Sequence, residues 1–420
     1  MNKLRFLSCL LVLGMYMPLQ AQVVYEDIAD KDSSEVNDVA VTDTLPGDSA
    51  ALPWPQCAQA RIDKLLTHKM FETSQLGLMV YDLTADSAIY AHNERQLMRP
   101  ASTMKMVTAI TALDKLGGGY QFKTALCHTG TIQDRTLTGD LYCVGGFDPQ
   151  FGRDDMRAFA DCVKSLGVDT IRGNLYADKS MKDLDVLGEG WCWDDDNPVL
   201  SPLVYRRKDH FMTEFEKALR DAGIQVEAFS SVAKCPAGAI RICERTHGID
   251  QILLPMMKKS DNLYAEALFY QLAPHDDGRT VTAKEASAAV RQLINKVGLN
   301  PSRYKIADGS GLSLYDYVSA ELLVRLLKYG YRHQNVYSHL LPSLPIAGVD
   351  GTLSKRMRGA YTRGKVWAKT GTVTGVSSLA GYCEASNGHL LCFAIINQGV
   401  MHGRNGRAFQ DRVCDALCLP

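Results

Sequence analysis

The chain has 420 residues, of which 46% are hydrophobic and 22% charged, and its formal net charge is −1. That is ordinary globular composition, with length enough for two packed domains. A balance so near neutrality leaves no electrostatic footprint for nucleic acid or a strongly anionic surface.

Lys3 and Arg5 precede an almost wholly apolar run from Phe6 to Pro18, and Leu19-Gln20-Ala21 ends on a small residue. This order predicts a cleaved secretory signal peptide over residues 1–21, since the run is too short for a comfortable membrane span. Cys9 lies early in the run, which argues against a lipoprotein anchor. Residues 22–53 set Glu26, Asp27, Asp30, Asp32, Glu35, Asp38, Asp43 and Asp48 against Lys31 alone. With so little apolar surface to bury, that segment is expected to be a flexible acidic leader. No later apolar run approaches membrane-spanning length. The expectation is export to a periplasmic space, with the mature chain soluble or at most peripherally attached to a membrane. Twelve cysteines occur, eleven of them beyond the signal, and that odd number cannot all pair internally. Neither cysteines nor histidines show zinc-ligand spacing, so no metal and no cofactor are expected. Cys383 and Cys392 flank Ser386-Asn387-Gly388, a turn that is expected to bring them face to face.

From Trp54 onward the pattern becomes globular. Residues 58–71 predict an amphipathic helix, and 76–82 with 87–90 predict a strand pair around a turn at 84–86. Pro100-Ala101-Ser102 opens a helix running to about Leu116 and ended by Gly117-Gly118-Gly119. A β-rich stretch follows to Phe151, and residues 154–166 and 209–222 read as helices. One helix is expected within Asp250–Leu272, and others over 282–297 and 318–329. Strands at 365–370, 377–384 and 389–397 and a helix at 407–418 complete the chain. Strands at both ends with helices between them predict an α+β arrangement, one sheet being assembled from distant segments.

Three short motifs carry chemistry. Ser102-Thr103-Met104-Lys105 opens a predicted helix, where residues three apart share a face and the amine can reach the hydroxyl. Serine needs a neighbouring base to become a nucleophile, and a desolvated neutral lysine can act as one. The helix N-terminus adds N–H groups for a developing oxyanion. The same Ser-x-x-Lys spacing recurs at Ser231–Lys234 and Ser302–Lys305, so alone it means little. In Ser260-Asp261-Asn262, placed inside the predicted 250–272 helix, Ser260 can shuttle a proton and Asn262 can hold an amide. The bland alternative is a helix N-cap. In Lys369-Thr370-Gly371, on a predicted edge strand, a cation and a hydroxyl can grip a carboxylate, and glycine lets a substrate lie close to the backbone. Gly359 to Lys365 nearly spells a phosphate loop, but Val366 stands where Ser or Thr is required and a strand follows instead of a helix.

The three motifs in this order are the signature set of penicillin-binding proteins and serine β-lactamases. Beyond them, over roughly residues 58–400, the chain resembles the exported D-alanyl-D-alanine carboxypeptidase/endopeptidases of the class C penicillin-binding type. The resemblance is carried by Arg99–Lys105, Gly145-Gly146-Phe147-Asp148-Pro149, Gly190–Asp195, Met257–Asn262, Ala307–Ser313 and Leu344–Gly351. It implies a transpeptidase-like catalytic domain over 54–118 and 245–420, an antiparallel sheet with helices on both faces. A smaller inserted α/β domain would span 119–244. It also implies Ser102 as nucleophile, Lys105 as base, Ser260 as proton relay and Asn262 as substrate-orienting group. Lys369 and Thr370, with Gly371 and Thr372 beside them, would bind the substrate's carboxylate end. The backbone N–H groups of Ser102 and Thr372 would form the oxyanion hole. The implied partners are peptidoglycan stem peptides and β-lactam antibiotics. The chain departs from the family pattern at three points. After Ser201-Pro202-Leu203 it passes almost directly to helix 209–222, without the extra material of longer members. Leu314 stands where the family often has an arginine associated with the acidic side chain of the stem peptide. Thr374 replaces the commoner glutamine. A β-lactamase or esterase using the same residues, or a non-catalytic wall sensor, is the competing reading.

Overall fold

A computed structural model describes residues 52–227, 229–274 and 280–420. The expected signal peptide, and all but the last two residues of the acidic leader, lie outside the described residues. Helix α1 (Gln56–Leu65) leads into the hairpin β1 (Gln75–Asp82) and β2 (Ser87–His92). A 3-10 turn, Ala101–Thr103, then feeds α2 (Met104–Lys115). Every residue of α2 from Met104 to Leu113 is buried, the pattern of a helix surrounded by protein. Gly117, at φ +80°, supplies the left-handed turn beyond it.

A region of short strands follows. It contains β3 (Gln121–His128), β4 (Thr131–Gln133), β5 (Thr136–Thr138), β6 (Leu141–Val144) and helix α3 (Arg153–Ser165). Next come β7 (Thr170–Arg172), β8 (Leu175–Asp178), α4 (Phe211–Asp221), β9 (Gln225–Glu227), β10 (Ser230–Val232) and β11 (Ile240–Gly248). These strands form two sheets, ordered β10-β8-β6-β3-β11 and β4-β5-β7-β9. Their shared core is built around Phe151, Phe159, Phe211 and Phe215. Strand β11 continues to Gly248, past the boundary expected at residue 244.

The chain then enters α5 (Ile249–Lys258), α6 (Asn262–Tyr270), α7 (Ala283–Lys296), α8 (Ala320–Arg332) and α9 (Gln334–Ser343). It closes with β12 (Val366–Val373), β13 (Val376–Glu384), β14 (Leu390–Gln398) and α10 (Gly403–Cys418). These last strands join the first hairpin in one antiparallel sheet ordered β12-β13-β14-β1-β2. One face packs against α2 and α5 to α9, the other against α1 and α10. Strands β13 and β14 are buried almost throughout, which explains their nearly continuous apolar runs. The sheet assembled from distant segments, the α+β class and the edge position of Lys369-Thr370-Gly371 on β12 all agree with the sequence reading.

Three expectations need correction. The single helix expected over 250–272 is two helices, broken at Ser260. Helix α9 was not foreseen, with Pro342 near its C-terminal end. Cys383 and Cys392 do not face each other. Cys383 stands opposite Leu391 and Cys392 opposite Tyr382, and successive strand residues point to opposite faces. Cys383 therefore enters the core under α10, and Cys392 the core under α8.

Candidate active site

The nucleophile candidate sits at a junction of strained backbone. Ala101 adopts φ +47° just before Ser102, a conformation costing a non-glycine residue about 1–3 kcal/mol. Gly311 holds it there: a Cβ on Gly311 would lie 1.9 Å from the Ala101 carbonyl oxygen. Lys105, one turn on, is 0% exposed. Its Nζ donates to Ser102 Oγ at 3.0 Å, Asn262 Oδ1 at 2.7 Å and the Ser310 carbonyl at 2.9 Å. Burial draws its pKa down to about 8, against the opposing pull of Asp308 and Glu266. A neutral amine is therefore accessible near physiological pH.

Asn262 reaches Lys105 because α5 and α6 are separated by a left-handed residue. The N–H groups of Lys259 and Asp261 both donate to the Pro255 carbonyl, and Ser260 between them has φ +59°. Asp261 then caps α6, accepting from Leu263 N at 3.0 Å and Tyr264 N at 3.4 Å. The middle residue of the motif is thus the N-cap, while Asn262 bonds to Lys105 and Ser260 to Lys369. Arg207, from the α/β region, pairs with the Asp261 carboxylate.

Lys369 is also 0% exposed. Its Nζ donates to Ser260 Oγ at 2.8 Å and to the Thr370 carbonyl at 2.7 Å. Burial, and then the charge of Lys105, push its pKa well below the ordinary lysine value. Thr370 Oγ1 donates to Thr352 Oγ1 at 2.9 Å. Gly371 has a reason the sequence did not disclose. A Cβ there would meet Ser378 Oγ at 2.2 Å, the Pro100 carbonyl at 2.8 Å and Ser102 N at 3.0 Å. The glycine lets β12 lie against the turn that carries Ser102. Thr372, the next residue, is exposed on the edge strand.

A buried acidic shelf supports the site from below. Asp308 accepts from Ser310 N, Gly311 N and Ser313 N, and from Trp191 Nε1 at 2.8 Å. These bonds fold residues 308–313 into the loop that presents the Ser310 carbonyl to Lys105. Burial and the neighbouring Asp308 raise the Glu266 carboxyl to about 8, and burial raises Asp316 as well. The Gly145–Pro149 turn also reaches the site wall. Asp148 is buried against His247 at 2.6 Å, and Gln150 Oε1 accepts from Tyr264 OH at 2.7 Å. Leu314 is 40% exposed beside this wall's Trp191 segment, its N–H donating to the Gly190 carbonyl.

Ser102, Lys105 and Asn262 are thus linked through direct hydrogen bonds, as are Ser260 and Lys369, with Gly371 packed behind Ser102. Sequence reasoning missed Thr352, Glu266 and the Ser310 carbonyl as members of the site. The other two Ser-x-x-Lys matches lie elsewhere, on β10 and in the 3-10 turn Pro301–Arg303. Among the described residues, no group of three or more acidic, histidine or cysteine side chains is arranged to hold a metal.

The model of the D-Ala-D-Ala carboxypeptidase 3 (S13) family matches residues 58–204 and 200–417. A D-alanyl-D-alanine carboxypeptidase of Actinomadura sp. is 28% identical over 436 aligned residues, covering 80% of each chain. The D-alanyl-D-alanine carboxypeptidase DacB of Haemophilus influenzae is 26% identical over 423, covering 80% of this chain and 88% of its own. The crystal structure of penicillin-binding protein 4 from Haemophilus influenzae superposes with a TM-score of 0.74 at 24% identity, covering 84% of this chain and 97% of that one. That likeness establishes the fold.

Proposed function

The chain belongs to the D-Ala-D-Ala carboxypeptidase 3 (S13) family, and we propose that it cleaves peptidoglycan stem peptides as a serine D-alanyl-D-alanine carboxypeptidase/endopeptidase through an acyl-enzyme on Ser102. The observation that carries this reading is a fully buried Lys105 donating to Ser102 Oγ, with its pKa lowered to about 8. Neutral Lys105 takes the Ser102 proton as Oγ attacks the penultimate D-Ala carbonyl. The oxyanion develops between the N–H groups of Ser102 and Thr372. Ser260 passes a proton to the leaving amine, while Asn262 orients the peptide. Lys369 and Thr370 hold the terminal carboxylate, and water then cleaves the ester. A β-lactam would acylate Ser102 along the same path.

The catalytic domain would comprise residues 54–118 and 245–420, with 119–244 inserted between nucleophile helix and second motif. The basic-then-apolar N-terminus supports export to the periplasm by a cleaved signal peptide. None of the described helices is long and apolar enough to cross a membrane. Release of D-alanine from a pentapeptide ending in D-Ala-D-Ala tests the reading. The wild-type protein should release it and Ser102→Ala should not; equal release from both would sink the assignment.

A further inference from the structure

All eleven cysteines beyond residue 21 are thiols in the structure, and six of them touch as three pairs remote in sequence. Each pair lies where the topology brings two separate elements together. Helix α10 runs along β13: Gly406 rests on Ser377, and Gln410 Nε2 donates to Ser377 Oγ at 2.9 Å. From Gly406 to Cys418 the helix rises about 18 Å, and from Ser377 to Cys383 the strand rises about 20 Å. Cys418 therefore arrives beside Cys383, and the thiols meet.

Helix α3 is fixed on β11 in a similar way. Arg245 Nε donates to Asp155 Oδ1 at 2.9 Å in the helix's first turn. Two turns further on, Cys162 meets Cys243, two residues back along the strand. The third pair follows from the sheet order. Strands β10 and β11 are opposite edges of one sheet, so residues 233–239 must cross one of its faces. Ala233 N donates to the Ala177 carbonyl, Cys235 N donates to Asp178 Oδ2 at 2.8 Å, and the Cys235 thiol touches Cys127 on β3.

We propose that Cys127–Cys235, Cys162–Cys243 and Cys383–Cys418 are the disulfide-forming pairs of this protein. Each bond forms as two thiols surrender two protons and two electrons to a disulfide-bearing oxidant, whose own S–S bond is reduced to a dithiol. An exported chain meets such oxidants, so the occurrence of the bonds in the cell rests on the export reading, whereas the pairing rests on the fold. Cys143, Cys392 and Cys414 are fully buried, with thiols pushed up by burial, and stay reduced. Cys414, one turn before Cys418, is the competing partner for Cys383.

The test uses two preparations of the full chain: one secreted from its own N-terminus, the other refolded in a glutathione redox buffer. Both are denatured in iodoacetamide without reductant and mapped by non-reducing digestion. Five alkylated cysteines in the mature chain and the three named cross-linked peptides are expected. In Cys383→Ala, Cys418 should become the sixth alkylated residue. Free thiols throughout the refolded or the secreted protein, or a Cys383–Cys414 link, would overturn the pairing. A chain retained with its precursor mass, yet correctly bridged on refolding, would refute export and leave the pairing standing. D-alanine release from the same samples reports on the proposed activity separately, since none of the six cysteines belongs to the Ser102 network.

Discussion

Lys105 and Lys369 are identical side chains, equally buried, on opposite sides of the same hydroxyl-lined site, yet their surroundings differ. Beneath Lys105 lie Asp308 and Glu266, whose charge opposes burial and keeps its pKa near 8. Lys369 has two neutral oxygens as acceptors, and burial, then the charge of Lys105, push its pKa well below the ordinary lysine value. One region carries its own countercharge and the other lacks one. On the proposed mechanism the substrate's terminal carboxylate supplies what is missing. Its arrival favours the charged form of Lys369, and that charge favours the neutral, basic form of Lys105. Binding at one lysine thereby prepares the other for catalysis.

The comparison can be broken from either side. Lys105→Ala should slow acylation by about 10²–10⁴-fold; an unchanged acylation rate would remove Lys105 as the base. Lys369→Ala should act on recognition instead. Wild type should favour a peptide with a free terminal carboxylate over its amide-capped counterpart, and the variant should lose about 10–100-fold of that preference, the worth of a hydrogen bond to a charged group. An undiminished preference would place the carboxylate elsewhere.

A subtler change probes the acidic shelf. Because the base must be unprotonated, wild-type acylation should rise as pH increases through about 8. Glu266 raises the Lys105 pKa, so Glu266→Gln should move this limb to lower pH. An upward shift, or none, would show that Glu266 does not tune the lysine. The smallest expected effect is on stability. Asp261→Ala removes the cap of α6 and should lower unfolding free energy by about 1 kcal/mol in urea titration.

The same contrast explains what could be read in the sequence. Strands β12 to β14 and helices α2 and α8 announce themselves by long apolar patterns, and the three motifs mark Ser102, Lys105, Ser260, Asn262 and Lys369. The chemistry carried by backbone leaves no such mark. The Ser310 carbonyl that fixes Lys105 is an atom every residue possesses, and only the fold of the Asp308 loop presents it. The left-handed turn at Ser260 uses a serine where glycine would have signalled it. Strands β4, β5, β7, β9 and β10 have three residues each, too few to display a period of two, and their pairing depends on distant partners. The packing role of Gly371 left no mark for a related reason: its neighbour is the Pro100–Ser102 turn, almost 270 residues away in sequence.

The most direct test of the account is intact-mass analysis of wild type and Ser102→Ala after incubation with benzylpenicillin, followed by peptide mapping. The account predicts one covalent adduct per wild-type chain, mapped to Ser102, and none on the variant. An adduct that survives in Ser102→Ala, or maps to another residue, would contradict it.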